Sequence, residues 1–119
     1  MHRLHSIAGI VLTLIGALHV AVGVADYRSP SLEALWFVGS GFFVLLAGAV
    51  NIVLSAARGG IPDRRRLTRV ALLANTAGTA LAGAFVRMTH AQQVQGIVLL
   101  LLFVVCLGAG SLSALDRSS

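Results

Sequence analysis

"SIAGIVLTLIGALHVAVGVA", residues 6–25, holds a single titratable side chain, His19, in an unbroken apolar run. A hydrocarbon layer is crossed by about 20 mainly apolar residues in helical form, so this run is long enough to span. Working outward, residues 35–56, 70–89 and 96–115 meet the same requirement. Across all 119 residues, 57% are hydrophobic and 11% charged, against about a quarter charged in soluble domains. The whole chain, 1–119, therefore reads as one integral membrane domain. Its connections are short, which makes consecutive helices antiparallel neighbours. The expected fold is all-α: a four-helix transmembrane up-down bundle. Period-2 alternation is absent, which excludes a spanning barrel.

The net charge of +5 is placed unevenly. Arg58, Arg64, Arg65, Arg66 and Arg69 crowd into one expected loop, residues 57–69, "ARGGIPDRRRLTR", and Arg3 and Arg117 lie near the two ends. Short basic loops stay inside, so the N-terminus, the C-terminus and the central loop are expected in the cytoplasm of a bacterium, with the helices in its inner membrane. The five loop arginines are expected to contact anionic lipid headgroups. Nucleic acid is not an expected partner, because no aromatics interleave the basic residues. The expected partners are the lipid bilayer, a second copy of the chain or another membrane protein. "MHRLH" followed by an apolar run and "GVA" before Asp26 also resembles a secretory signal. That run exceeds the usual signal core and is long enough to span.

Helix one gathers its small residues: at 100° per residue Gly9, Thr13, Gly16 and Gly23 share an arc with His19 at its border. Helices in lipid associate where small residues let backbones approach, so this face should pack. The pattern recurs in helix two, where Gly41 and "GAVN" (48–51) repeat Gly9 and "GALH" (16–19) at an offset of 32 residues. Shared packing logic accounts for such a repeat; a fainter likeness is to the inverted repeats of transporters. Asn75, Thr76, Thr79, Gly83, Arg87 and His90 form a polar stripe on helix three that should face helices one and two. Helix four is apolar all round, with Gly108 and Gly110 as a possible association surface and Cys106 as a packing residue. Ser31 suits an N-cap, Glu33 a helix first turn, and Trp36 and Tyr27 an interfacial anchor.

Counting helical rise, His19, Ser40 and Arg87 fall at similar depth in the outer half, with Glu33 and His90 at the mouth above them. A neutral imidazole beside a guanidinium could bind a small anion, polarise a carbonyl or take a proton. Asn51 and Asn75 match in depth in the inner third and form an expected polar pair. No cofactor is expected; haem between His19 and His90 is the one candidate, and it is strained because His90 falls in a loop. No metal site is expected, since no Cys/His cluster occurs. The sequence has no Walker A, HExxH or GxSxG motif.

The "LH" late in helix one, "LWFVGSGFFVLLAG" (35–48) opening helix two and Asn51 near its close resemble a group of small bacterial four-helix membrane proteins of unknown function. That resemblance covers mostly the first half of the chain and implies architecture without activity. In size the chain is also similar to the small multidrug resistance transporters. Those use a membrane-embedded glutamate in helix one, where this chain has no acidic residue in any expected span. Two functional classes follow: a protein that binds lipid, a small hydrophobic molecule or a partner membrane protein, or a compact transporter or membrane-embedded enzyme built on the outer His/Arg pocket.

Overall fold

The computed structural model describes residues 2–56, 64–90 and 93–115. They form four helices: α1 (His2–Asp26), α2 (Leu32–Ala56), α3 (Arg64–Met88) and α4 (Val94–Leu115). Each begins before the apolar run that announced it, because helical hydrogen bonding continues through polar flanks that hydropathy does not count. The largest revision concerns α3, which starts six residues earlier than expected. Arg64, Arg65, Arg66 and Arg69 thus occupy its first two turns rather than a loop, in keeping with the high helix propensity of arginine. Arg58 lies outside the described residues.

Local chemistry sets the ends that face the α1–α2 and α3–α4 connections. The Ala34 N–H donates to Ser31 Oγ at 3.0 Å, so Ser31 caps α2 as expected, with Glu33 in the first turn near the positive end of the helix dipole. Past α3, His90 adopts a left-handed φ of 50°, and its N–H closes on the Arg87 carbonyl at 3.2 Å. Histidine is among the non-glycine types that tolerate this region.

α1 packs against α2 and α4, and α3 against the same two helices, which leaves α1 and α3 across the diagonal of the bundle. The α1/α2 interface explains the repeat at an offset of 32. A Cβ on Gly16 would collide with Leu45 N, and would lie 2.7 Å from Leu45 Cα and 2.8 Å from Gly41 O. A Cβ on Gly48 would collide with Thr13 Oγ1, and would lie 2.5 Å from Thr13 N and 2.7 Å from Gly9 O. Gly9 faces Asn51 and Ile52, as Gly41 faces His19 and Val20. Adding 32 to each α1 number and subtracting it from each α2 number converts one set of contacts into the other. The hairpin is therefore built about a local two-fold axis, with backbones in contact where only hydrogen fits.

The α3/α4 pair uses a different device. Phe103 lies against Gly78, and Phe85 Cδ1 stands 2.6 Å from where a Gly96 Cβ would be. Gly110 receives Leu72 inside the bundle, so of the expected association pair only Gly108, with nothing within 4 Å, remains open.

The central core comprises Ala8, Leu12, Val44, Ala47, Phe103 and Cys106. Large aliphatic side chains such as Leu14, Leu18, Leu35, Leu73, Leu81 and Leu101 are exposed. So much large apolar surface on the outside departs from the arrangement of a soluble protein. All four helices are long and apolar enough to cross a membrane, with candidate spans of 24, 25, 25 and 19 residues. Hydroxyls in the bundle follow the same constraint by bonding back to their own helix, as Thr13 Oγ1 does to Gly9 O at 2.9 Å and Thr79 Oγ1 to Asn75 O at 2.7 Å.

Candidate functional site

Among the described residues the most demanding polar chemistry lies on the side of the bundle that carries the chain termini. His5 of α1, Asn51 of α2 and Asn75 of α3 are 4%, 0% and 0% exposed. Asn51 Nδ2 donates to the Ala47 carbonyl at 2.8 Å and to Asn75 Oδ1 at 2.8 Å. Asn75 Nδ2 returns a bond to Asn51 Oδ1 at 2.9 Å. His5 Nε2 lies 2.8 Å from that same Oδ1. Because Ala47 O can only accept, it fixes which end of the Asn51 amide is Nδ2, and Oδ1 must then face His5. His5 is accordingly the donor, with its proton on Nε2. The Asn51 amide uses both donor hydrogens and accepts twice, as burial in an apolar interior demands.

The pairing of Asn51 with Asn75 agrees with their matched depth in the sequence. His5 was not among the expected site residues, although a signal existed. It precedes Gly9 by four residues and so extends the glycine face of α1 by one turn, in antiparallel register with Asn51. The local two-fold makes its position legible: the axis that relates His5/Asn51 carries it onto Phe37/His19 at the other end of the hairpin.

There the His19 ring stacks on Phe37, with centroids 3.9 Å apart and planes 16° from parallel, and His19 Nε2 lies 3.3 Å from Ser40 Oγ. The Ser40 hydroxyl gives its one hydrogen to Phe37 O at 2.8 Å. Tyr27 OH donates to Glu33 Oε1 at 3.3 Å, and its ring tilts against Phe37 at 5.7 Å. The expected outer group is thus divided. His19 and Ser40 meet, and Glu33 pairs with Tyr27 beside them, all within the α1–α2 hairpin. Arg87 and His90 are exposed at the far end of α3, across the diagonal from α1, and no hydrogen bond or ring contact among the described residues joins either to His19.

The physical reason is the rotation of α3. Its buried face is Ala71, Asn75, Gly78 and Ala82, a strip of small side chains that admits close packing. Only Asn75 belongs to both this strip and the polar stripe. Thr79 and Gly83 are half-buried, and Thr76, Arg87 and His90 are exposed. Polarity marked one side of the helix, and close packing selected another.

The phenol of Tyr27, outside the helices, is raised above its ordinary range, first by desolvation and then by the Glu33 and Asp26 carboxylates. Among the described residues no group of three or more His, Cys, Asp or Glu is placed to hold a metal ion. Arg3, Arg65, Arg66 and Arg69 are exposed at the termini end of the bundle. Neither a protein-family model, nor a curated protein, nor a solved structure matches this chain.

Proposed function

We propose that the chain is a multi-pass protein of the bacterial cytoplasmic membrane, oriented with both termini inside, that binds anionic lipid at its basic end. The observation that carries this reading is the separation of charge. Exposed Arg3, Arg65, Arg66 and Arg69 stand at the termini end, whereas at the other end Arg28 and Arg87 are balanced by Asp26 and Glu33. Guanidinium groups on the first turns of a spanning helix reach the headgroup layer, where they pair with phosphate in bidentate fashion.

The test is native mass spectrometry of protein taken from bilayers containing equal phosphatidylglycerol and phosphatidylcholine. The wild type is compared with the triple variant Arg65→Gln, Arg66→Gln, Arg69→Gln. Preference for phosphatidylglycerol should fall by about fivefold per arginine removed. An unchanged lipid ratio in the triple variant would overturn the reading. The His19–Ser40 bond supports a second reading, a compact transporter or membrane-embedded enzyme. A small molecule or haem band retained by the wild type and lost in His19→Ala would favour that one instead.

A further inference from the structure

The contacts within each hairpin run its full length. α1 and α2 touch from Gly9 and Gly48 at the termini end to Gly23, Phe37 and Val38 at the loop end. α3 and α4 touch from Leu72 and Gly110 through Gly78 and Phe103 to Phe85 and Gly96.

Contacts between the hairpins are distributed otherwise. The amide pair Asn51–Asn75 joins them on the termini side of α2 and at the middle of α3. The core brings Ala8, Leu12, Val44 and Ala47 of the first hairpin against Phe103 and Cys106 of the second, and Phe43 lies 6.1 Å from the Phe103 ring. All of these residues lie at mid-height or on the termini side of it. Among the described residues, Ala82 is the one buried apolar side chain in the loop half, with Ile15 and Leu99 partly buried against the core from that side. The other buried positions there are largely glycines already filled from their own hairpin: Gly16 by Leu45, Gly23 by Phe37 and Val38, Gly41 by Val20, Gly96 by Phe85. Gly83 has only Leu100 of its own hairpin within 4 Å, and Gly39 has nothing. The bonds and ring contacts of His19, Ser40, Tyr27 and Glu33 likewise stay inside the first hairpin. The covalent link between hairpins, from α2 to α3, is also at the termini end.

We infer that the two hairpins are rigid bodies that pivot about the His5–Asn51–Asn75 cluster, staying joined at the termini end and parting at the loop end. Packed interfaces resist shear in proportion to what they bury. Here the hydrogen bonds and the chain connection lie on the termini side and the shared core at mid-height, which leaves the loop end the less tied, the arrangement of a hinge. The moving end is the one that carries His19, Ser40 and Arg87, so the distance between the first two and the third is set by the pivot.

Pulsed electron–electron distance measurements in lipid nanodiscs test this on the full chain, with Cys106→Ala as background. All labelled positions are exposed: Val24 with Val94 across the hairpins at the loop end, Leu4 with Leu112 across them at the termini end, and Val24 with Leu35 inside one hairpin. The Val24/Val94 distribution should be roughly twice as wide as either of the others. Adding Asn75→Ala should widen Leu4/Leu112. Equal widths for the two inter-hairpin pairs would overturn the pivot. So would a Val24/Leu35 distribution as wide as Val24/Val94, which would mean motion local to the helix ends. A Leu4/Leu112 width unmoved by Asn75→Ala, in protein that keeps its helical circular dichroism, would remove the amide pair as the joint.

Discussion

Replacing Gly16 by alanine adds one methyl group at a place where two backbones touch. That methyl would sit 2.7 Å from Leu45 Cα and 2.8 Å from Gly41 O, whereas ordinary contact begins at 3.4 Å. The helices must therefore separate by at least about 0.7 Å, and a gap of that size forfeits a quarter to a half of the dispersion energy of the atoms it divides. No flexible side chain can yield, because the obstructing atoms are main chain. Overpacking costs about 1–3 kcal/mol, and the upper part of that range applies here. Alanine returns about 1 kcal/mol through helix propensity, which leaves a net loss of about 2 kcal/mol. Gly48→Ala, its mate under the local two-fold, should lose about as much. Gly39→Ala and Gly108→Ala carry the same propensity gain into open space and should be neutral or stabilising. Reversible unfolding in mixed micelles, followed by far-ultraviolet circular dichroism, measures all four. Because one separation relieves both collisions, the Gly16→Ala/Gly48→Ala double variant should lose less than the sum of the single losses. The reasoning fails if Gly16→Ala is as stable as Gly39→Ala.

The amide pair makes a second prediction. Asn51→Leu leaves the His5 N–H and the Asn75 amide without their partner and should cost about 2 kcal/mol in the same unfolding assay. Adding Asn75→Leu to it should cost little more; full additivity would show that the two amides do not act together. Nitrogen NMR of labelled histidine should find His5 protonated at Nε2, and an Nδ1–H tautomer would contradict the bond to Asn51 Oδ1. At the other end, near-ultraviolet absorbance should show Tyr27 titrating above the ordinary phenol range, with Glu33→Gln moving it down. A raised phenol favours the folded state below its ordinary value, and that advantage is lost as pH rises through the raised one. Titration at the ordinary value in the wild type would refute the Glu33 pairing.

The anatomy of α1 shows how far one helix can be read alone. Its length and its glycine face are properties of a single segment, since hydropathy adds along the chain and rotation about one axis is fixed by residue spacing. The Ser31 cap is local in the same sense, needing only residues three apart. The depth match of Asn51 and Asn75 required one further step, helical rise counted from a common interface.

Arg87 shows where that reading stops. Spacing placed it on the polar stripe of α3, but which side of α3 turns inward depends on what its neighbours can accommodate. Phe103 needs the room at Gly78, and Asn51 needs Asn75; together they turn the stripe partly away from the bundle. His5 is the converse case, a residue whose place one turn before the glycine face is local but whose partner lies 46 positions away.

The sequence by itself determined four apolar helices, their order, the small-residue face of α1 and the basic character of one end, because each depends on composition or spacing within one segment. Only the tertiary structure decided that the repeat at 32 residues is a two-fold interface, that His5 completes the buried amide cluster and that Arg87 stands apart from His19. These depend on the relative rotation and register of helices, which close packing between segments selects and no single segment encodes.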